Sequence, residues 1–205
     1  MKRMFLVLFL AAATLATGCA RKDVLVTPGP LDVPAFQGQS AGKWAFFVKS
    51  VSDDRADLDK ADPMLIGYLG QRFDENKTTV HMDKTPEVYF KEQLSRFLLN
   101  KEMEAASVEK AKAVMEISLK KFGFESDTTK FLDMLAFAID YEIKFYAPDC
   151  RYLGAIRLPE KRMIKDFTPL GAEKHSLEVL ILDTLSSTFT FLAQSEIYKN
   201  ASEGK

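Results

Sequence analysis

From about Lys43 onward the chain is a series of short apolar runs whose spacing switches between two periods. Lys43 to Val51 (KWAFFVKSV) is rich in aromatic and β-branched residues and runs into the polar Ser52-Asp53-Asp54-Arg55, which predicts a strand ending in a turn. Met64 to Leu69, bounded by Asp62-Pro63 and Gly70, and Thr78 to Met82 predict two more short strands. Thr85-Pro86-Glu87 predicts a helix start, because Thr can cap the first free amides, Pro fits the first helical position and Glu complements the positive helix end. Phe90, Leu94, Phe97 and Leu98 then share one face of an amphipathic helix from about Pro86 to Glu102, with Lys91, Glu92, Arg96 and Lys101 toward water.

The period then returns to two. Ala113, Met115, Ile117 and Leu119 alternate with Glu116, Ser118 and Lys120 in a strand from Ala113 to Phe122. Phe137, Ile139, Tyr141, Ile143 and Phe145 alternate with Asp140, Glu142 and Lys144 in a second, from about Ala136 to Tyr146. Pro148-Asp149-Cys150 predicts a turn into a third strand, Tyr152 to Ile164, which Pro159 interrupts and therefore bulges or places at a sheet edge. Leu177, Leu180, Ile181, Thr184, Leu185, Thr188 and Leu192 form the stripe of a second helix, from about Lys174 to Lys199. Without regular strand-helix alternation, this order predicts an α+β fold: a single domain with a largely antiparallel sheet and two helices packed on one face.

The first 42 residues do not fit that domain. Lys2 and Arg3 precede an uncharged apolar run, Met4 to Leu15, and small residues follow at Ala16, Thr17 and Gly18, which is the layout of an export signal. The run is too short to cross a hydrocarbon core, which takes about 20 residues. Leu15-Ala16-Thr17-Gly18-Cys19 resembles the lipobox of bacterial lipoproteins, with Ala16 in place of the usual Leu. The resemblance implies that Cys19 is diacylated on sulfur, becomes the N-terminus after cleavage and takes a further N-acyl chain. At about 0.8 kcal/mol per buried methylene, two or three chains hold a protein firmly on a bilayer. Ala20 stands where an Asp would favour inner-membrane retention, so the resemblance points to the periplasmic face of the outer membrane. Residues 20–42 carry Pro28, Pro30, Pro34, Gly29, Gly38 and Gly42, and read as an extended tether. The expected organisation is a signal peptide over 1–18, a lipidated tether over 19–42, an α+β domain over 43–200 and a tail over 201–205.

Composition adds limits more than chemistry. The balance of 47% hydrophobic and 28% charged residues is that of a globular protein. Loss of Lys2 and Arg3 with the signal takes 28 basic residues to 26 against 29 acidic ones, a formal charge of −3, and nothing suggests nucleic-acid binding. Cys150 has no cysteine partner within the lipidated chain and reads as a lone structural thiol.

The pieces in this order resemble the YajG-type outer-membrane lipoproteins of Gram-negative bacteria. The resemblance rests on the lipobox, the Pro-containing tether, a first strand running into Asp53-Asp54-Arg55, an early helix with Phe97-Leu98-Leu99, a three-strand meander and a long C-terminal helix. It implies location and fold, and brings no catalytic residues with it.

Candidate chemistry is sparse. Asp53 and Asp54 are adjacent carboxylates that could bind a cation or exchange protons, but neighbours on an extended chain point to opposite faces, and Arg55 can pair with either at the surface, so capping is the plainer reading. His81 and His175 sit in no H-E-x-x-H or C-x-x-C arrangement, so no metal site is expected. Ser186 and Ser187 lack a Gly-x-Ser-x-Gly elbow, and Gly67 and Gly70 are too sparse for a nucleotide loop, so neither a hydrolase nor a nucleotide or other cofactor site is expected. Sixteen Phe residues are many for 205. Phe122, Phe124 and Phe131 crowd around residues 123–130, either as core beneath a loop or as an exposed patch for a partner. Phe131-Leu132-Asp133-Met134-Leu135 reads as a short helix or apolar flap and is the preferred interaction site.

The expectation is thus a non-enzymatic, lipid-anchored module that contacts the membrane through its anchor and another envelope protein through a sheet edge or the apolar segment around Phe122 to Leu135, with Asp53, Asp54, Arg55, Phe122, Phe124, Phe131 and Leu132 as candidate contact residues. The alternative is a carrier that holds an apolar ligand between sheet and helices, which an open pocket there would favour. An enzyme ranks last.

Overall fold

The two strands with the cleanest alternation form the spine of the structure. A computed structural model of the chain describes residues 23–27, 44–56, 62–69, 78–127, 134–166 and 172–197. They form eight strands, β1 (Asp23–Val26), β2 (Phe46–Asp53), β3 (Leu65–Leu69), β4 (Thr78–Met82), β5 (Ala113–Asp127), β6 (Met134–Tyr146), β7 (Tyr152–Arg157) and β8 (Lys161–Asp166), with two α-helices, α1 (Pro86–Asn100) and α2 (Ala172–Gln194). β5 and β6 pair antiparallel from Val114 opposite Tyr146 to Asp127 opposite Met134. Beyond β6, β7 lies along Glu142–Tyr146 and β8 along Met134–Ile139. Beyond β5, β2 runs parallel to its first half, β3 meets it at Phe124, and β4 and β1 follow. The α+β class holds, and the parallel ladders β2–β5 and β1–β4 make the sheet mixed.

One face of the spine explains where the core sits. Ala113, Met115, Ile117 and Leu119 of β5 and Phe137, Ile139, Tyr141, Ile143 and Phe145 of β6 are all buried. A register shift between Leu119 and Lys121 advances β5 by one residue, so burial resumes at Phe122 and Phe124 rather than at Lys121. A bulge re-aims the side chains that follow it, and here it carries the apolar face past Lys120-Lys121. Both helices cover that face. The Tyr141 ring lies 4.9 Å from the Phe90 ring of α1, and its hydroxyl is 2.8 Å from Thr188 Oγ1 of α2. Burial pushes the Tyr141 phenol well above its ordinary pKa, which keeps it neutral.

The helix ends differ from expectation for local reasons. Pro86 opens α1, but the Thr85 side chain makes no capping bond and its hydroxyl is buried without a partner. At the other end Glu102 takes φ of +55°, and the amides of Glu102 and Met103 donate to the carbonyls of Leu99 and Leu98 at 3.0 and 2.8 Å. This reverse turn is a Schellman closure with Glu in the left-handed position that glycine usually fills, and it stops α1 at Asn100 rather than Glu102. α2 runs from Ala172 to Gln194, a bend at Ser195 separates it from the helical Glu196 and Ile197, and the expected end at Lys199 lies outside the described residues. On its buried face Thr184 and Thr188 donate to the carbonyls of Leu180 and Thr184, so the two hydroxyls enter the core already bonded.

Other boundaries also shift. The predicted third meander strand is two strands, because Pro159 cannot donate to a ladder and the chain leaves β6 at Leu158-Pro159-Glu160 before rejoining it as β8. Asp23–Val26, inside the segment read as tether, is a strand paired parallel to β4, with Val26 buried in the core. Residues 123–127, read as the start of a loop, continue β5, and Met134 and Leu135 belong to β6 rather than to a flap, while residues 128–133 lie outside the described residues. No helix among the described residues is long and apolar enough to cross a membrane.

Candidate functional site

The charge cluster at the end of β2 is built into the fold. Arg55 is 5% exposed, and its Nε and Nη2 grip both oxygens of Asp53 at 2.7 and 2.6 Å. Its Nη1 donates to the carbonyl oxygens of Leu65 and Phe122 at 3.0 and 3.1 Å. Arg55 is therefore not a surface partner for either carboxylate. It fastens the end of β2 to β3 and β5, and its delocalised fork suits that task better than an ammonium. Close by, β3 and β5 approach so tightly that a Cβ on Gly67 would stand 2.2 Å from the Phe124 carbonyl oxygen and one on Gly123 2.3 Å from that of Ile66. Gly67 also has φ of +151°, open only to glycine.

Asp54 points the other way. It bonds to Ser118 Oγ and, at 3.1 Å, to Lys120 Nζ on the polar side of β5, and these two donors hold its carboxyl below the usual range. Asp53 and Asp54 do not converge, so the adjacent carboxylates form no shared cation or proton site.

The aromatic candidates divide. Phe122 and Phe124 are 1% and 4% exposed, each edge-on to Phe137 at 5.2 and 4.9 Å, so they are core and the exposed-patch alternative fails for both. Phe131 and Leu132 lie outside the described residues, as does the His175 side chain. His81 on β4 is bonded to Asp62 at 2.8 Å. Cys150 is exposed in the turn after β6, at φ of +69°. Lys161 lies 2.7 Å from Ser187 Oγ, but its ammonium also holds Asp183 at 2.6 Å, and Ser187 donates to the Asp183 carbonyl, which makes this a clasp between β8 and α2. Among the described residues, no three His, Cys, Asp or Glu side chains gather as a metal site.

A cleft lies at the other end of β2. Between the C-terminal ends of α1 and α2 is a cleft of about 350 Å³, lined by Trp44, Phe97, Lys101, Met103, Ser186, Phe189, Thr190, Leu192, Ala193 and Gln194. Phe97 and Phe189 stack at 5.3 Å, Phe46 lies edge-on beneath Phe189 at 5.5 Å, and Trp44 stacks on Phe46 at 5.1 Å. The Schellman closure of α1 sets Met103 and Lys101 at the cleft, with Lys101 Nζ 5.7 Å above the Phe97 ring centre. Trp44 is 8% exposed and Leu192 1%, so these walls are fixed by the core. A cavity of this volume with apolar walls and a few polar groups at its rim, Lys101, Ser186 and Thr190 among them, fits a slender apolar ligand.

Of the residues of this cleft only Ser186 was weighed in the sequence, and then as a possible hydrolase serine rather than as part of a binding site. Phe97 and Leu192 were legible as helix faces, and Phe189 falls one helical turn after Leu185, but no motif marks the place where two helix ends part.

The arrangement of one mixed sheet under two helices has a counterpart among solved structures. The chain shares its fold with protein XCC0632 from Xanthomonas campestris, of the family model DUF330. The two superpose with a TM-score of 0.62 at 12% identity, over 89% of this chain and 99% of that one. At that identity the likeness shows the fold alone. Lipoprotein GNA1162 from Neisseria meningitidis (TM-score 0.32, 13% identity, 74% of this chain and 99% of that one) and a minor lipoprotein from Acinetobacter baumannii (0.35, 10%, 59% and 88%) also match, at scores that carry no argument. No protein-family model matches the sequence, and no curated protein is significantly similar to it.

Proposed function

We propose that this chain is a lipid-anchored protein of the bacterial cell envelope that works by binding rather than catalysis, and that its ligand is an acyl chain received in the cleft between α1 and α2. The cleft carries the reading: about 350 Å³ of space walled by Trp44, Phe97, Met103, Phe189 and Leu192, with Lys101 at the rim. This favours the carrier alternative over the interaction module, because Phe122 and Phe124, two of the apolar residues proposed for a partner, are core. The anchor, on the outer membrane's periplasmic face, rests on Leu15 to Cys19 and on Ala20, and kinship with the YajG-type lipoproteins rests on the order of segments.

Mass spectrometry of the full-length protein from its native membrane tests both parts. Denatured, the mature chain should begin at Cys19 and carry acyl mass on that residue. Under native conditions it should retain a further non-covalent lipid of one or two acyl chains. A mature chain without acyl mass contradicts the anchor, and an acylated chain that never holds lipid contradicts the carrier.

A further inference from the structure

Asp23, the first residue of β1, follows Cys19 by only four residues. A fully extended chain advances at most about 3.6 Å per residue, so Asp23 stands no more than about 14 Å from Cys19 whatever path the intervening residues take. β1 is no free tail: it pairs with β4 from Asp23 opposite Thr79 to Val26 opposite Met82, and Val26 is buried at 6% exposure. Acyl chains on Cys19 thus bring the β1 edge of the sheet to the bilayer.

That corner has the side chains for the contact. Leu25 is 66% exposed and Met64 is 42% exposed, although their neighbours Val26 and Leu65 are buried. The two positions flank β4: Leu25 lies opposite His81, and the Met64 carbonyl accepts from the Met82 amide at 2.9 Å. The Asp62 carboxylate at this corner is bonded to His81 and accepts from the Met64 amide, which fixes the chain just before β3.

We infer that the β1 edge of the sheet is a membrane-contact surface, with Leu25 and Met64 seated in the lipid interface beside the anchor. This rests on the lipidation of Cys19 proposed above. It replaces a domain lifted off the bilayer by a tether with one held against it along one edge. β7, at the opposite edge and five strand spacings away, is then about 24 Å further out, with Tyr152 exposed to water.

The test uses the full-length acylated protein in vesicles of phosphatidylethanolamine and phosphatidylglycerol. In a Cys150→Ser background, Leu25→Cys, Met64→Cys and Tyr152→Cys each carry a small fluorophore, and quenching is measured with a nitroxide on the lipid and with aqueous iodide. The labels at positions 25 and 64 should be quenched several-fold more by the nitroxide than the label at 152, and correspondingly less by iodide. Equal quenching at all three sites in a chain whose acylation is confirmed by intact mass overturns the membrane-contact surface and leaves the anchor standing. A chain without acyl mass overturns both.

Discussion

The two ends of β2 use their residues in opposite ways. At the Asp53 end every polar atom of the Arg55 side chain reaches a carboxylate or a carbonyl, and two glycines let β3 and β5 close on each other. At the Trp44 end the same sheet carries rings that stack without filling the space between two helix ends. The charged cluster draws attention in the sequence and is consumed by the fold, whereas the space that can hold a ligand is bounded by unremarkable apolar residues. Residue type alone marks neither role; what distinguishes them is whether neighbouring elements meet or part.

That contrast can be broken most forcefully at the closed end. Gly67→Ala or Gly123→Ala places a methyl against backbone atoms that have no rotamer to yield, so either should cost more than about 4 kcal/mol and leave little folded protein in urea or thermal unfolding. Next, Arg55→Met keeps side-chain bulk but strands Asp53 and two buried carbonyls. It should cost about 3–5 kcal/mol in urea unfolding, a loss that a merely superficial Arg55–Asp53 pair would not produce.

At the open end the expectation reverses. Ala193→Phe fills the cleft rim from an exposed position, so stability should stay within about 0.5 kcal/mol while retention of an acyl ligand is lost, as read by native mass spectrometry. The smallest effect belongs to Asp54. Its carboxyl is held low by Ser118 and then Lys120, so its contribution is present above the ordinary carboxylate pKa and fades as pH falls through the lowered folded value. With the side chain 47% exposed the effect is small, and Asp54→Asn should slightly flatten the acid limb of the stability curve.

How much was legible follows the same division. β6 could be read almost to the residue, because Phe137 to Phe145 alternate without a break and its burial pattern depends only on period. β5 was legible until its bulge, where Lys120-Lys121 ends the alternation in sequence while the strand continues. The break at Pro159 was visible as a disturbance, but whether proline bulges a strand or splits it depends on the partner's length, and β6 is long enough to pair with both pieces. β1 was hidden among prolines and glycines because four residues carry too little pattern to outweigh their surroundings. Arg55 looked like a surface charge since only the meeting of β3 with β5 in the sheet supplies the carbonyls that let it be buried. The cleft was illegible because it is a property of where α1 and α2 end, and the turn that ends α1 uses Glu102 where a glycine would have signalled it.

Trp44 is the single tryptophan of the chain and stands in the cleft wall, so its fluorescence reports directly on the central claim. Titration with a fatty acid brominated along its chain should quench Trp44 saturably, with unbrominated fatty acid reversing the effect and Ala193→Phe abolishing it. Quenching that rises linearly without saturation, or that survives Ala193→Phe unchanged, would contradict an acyl-binding cleft between the helices.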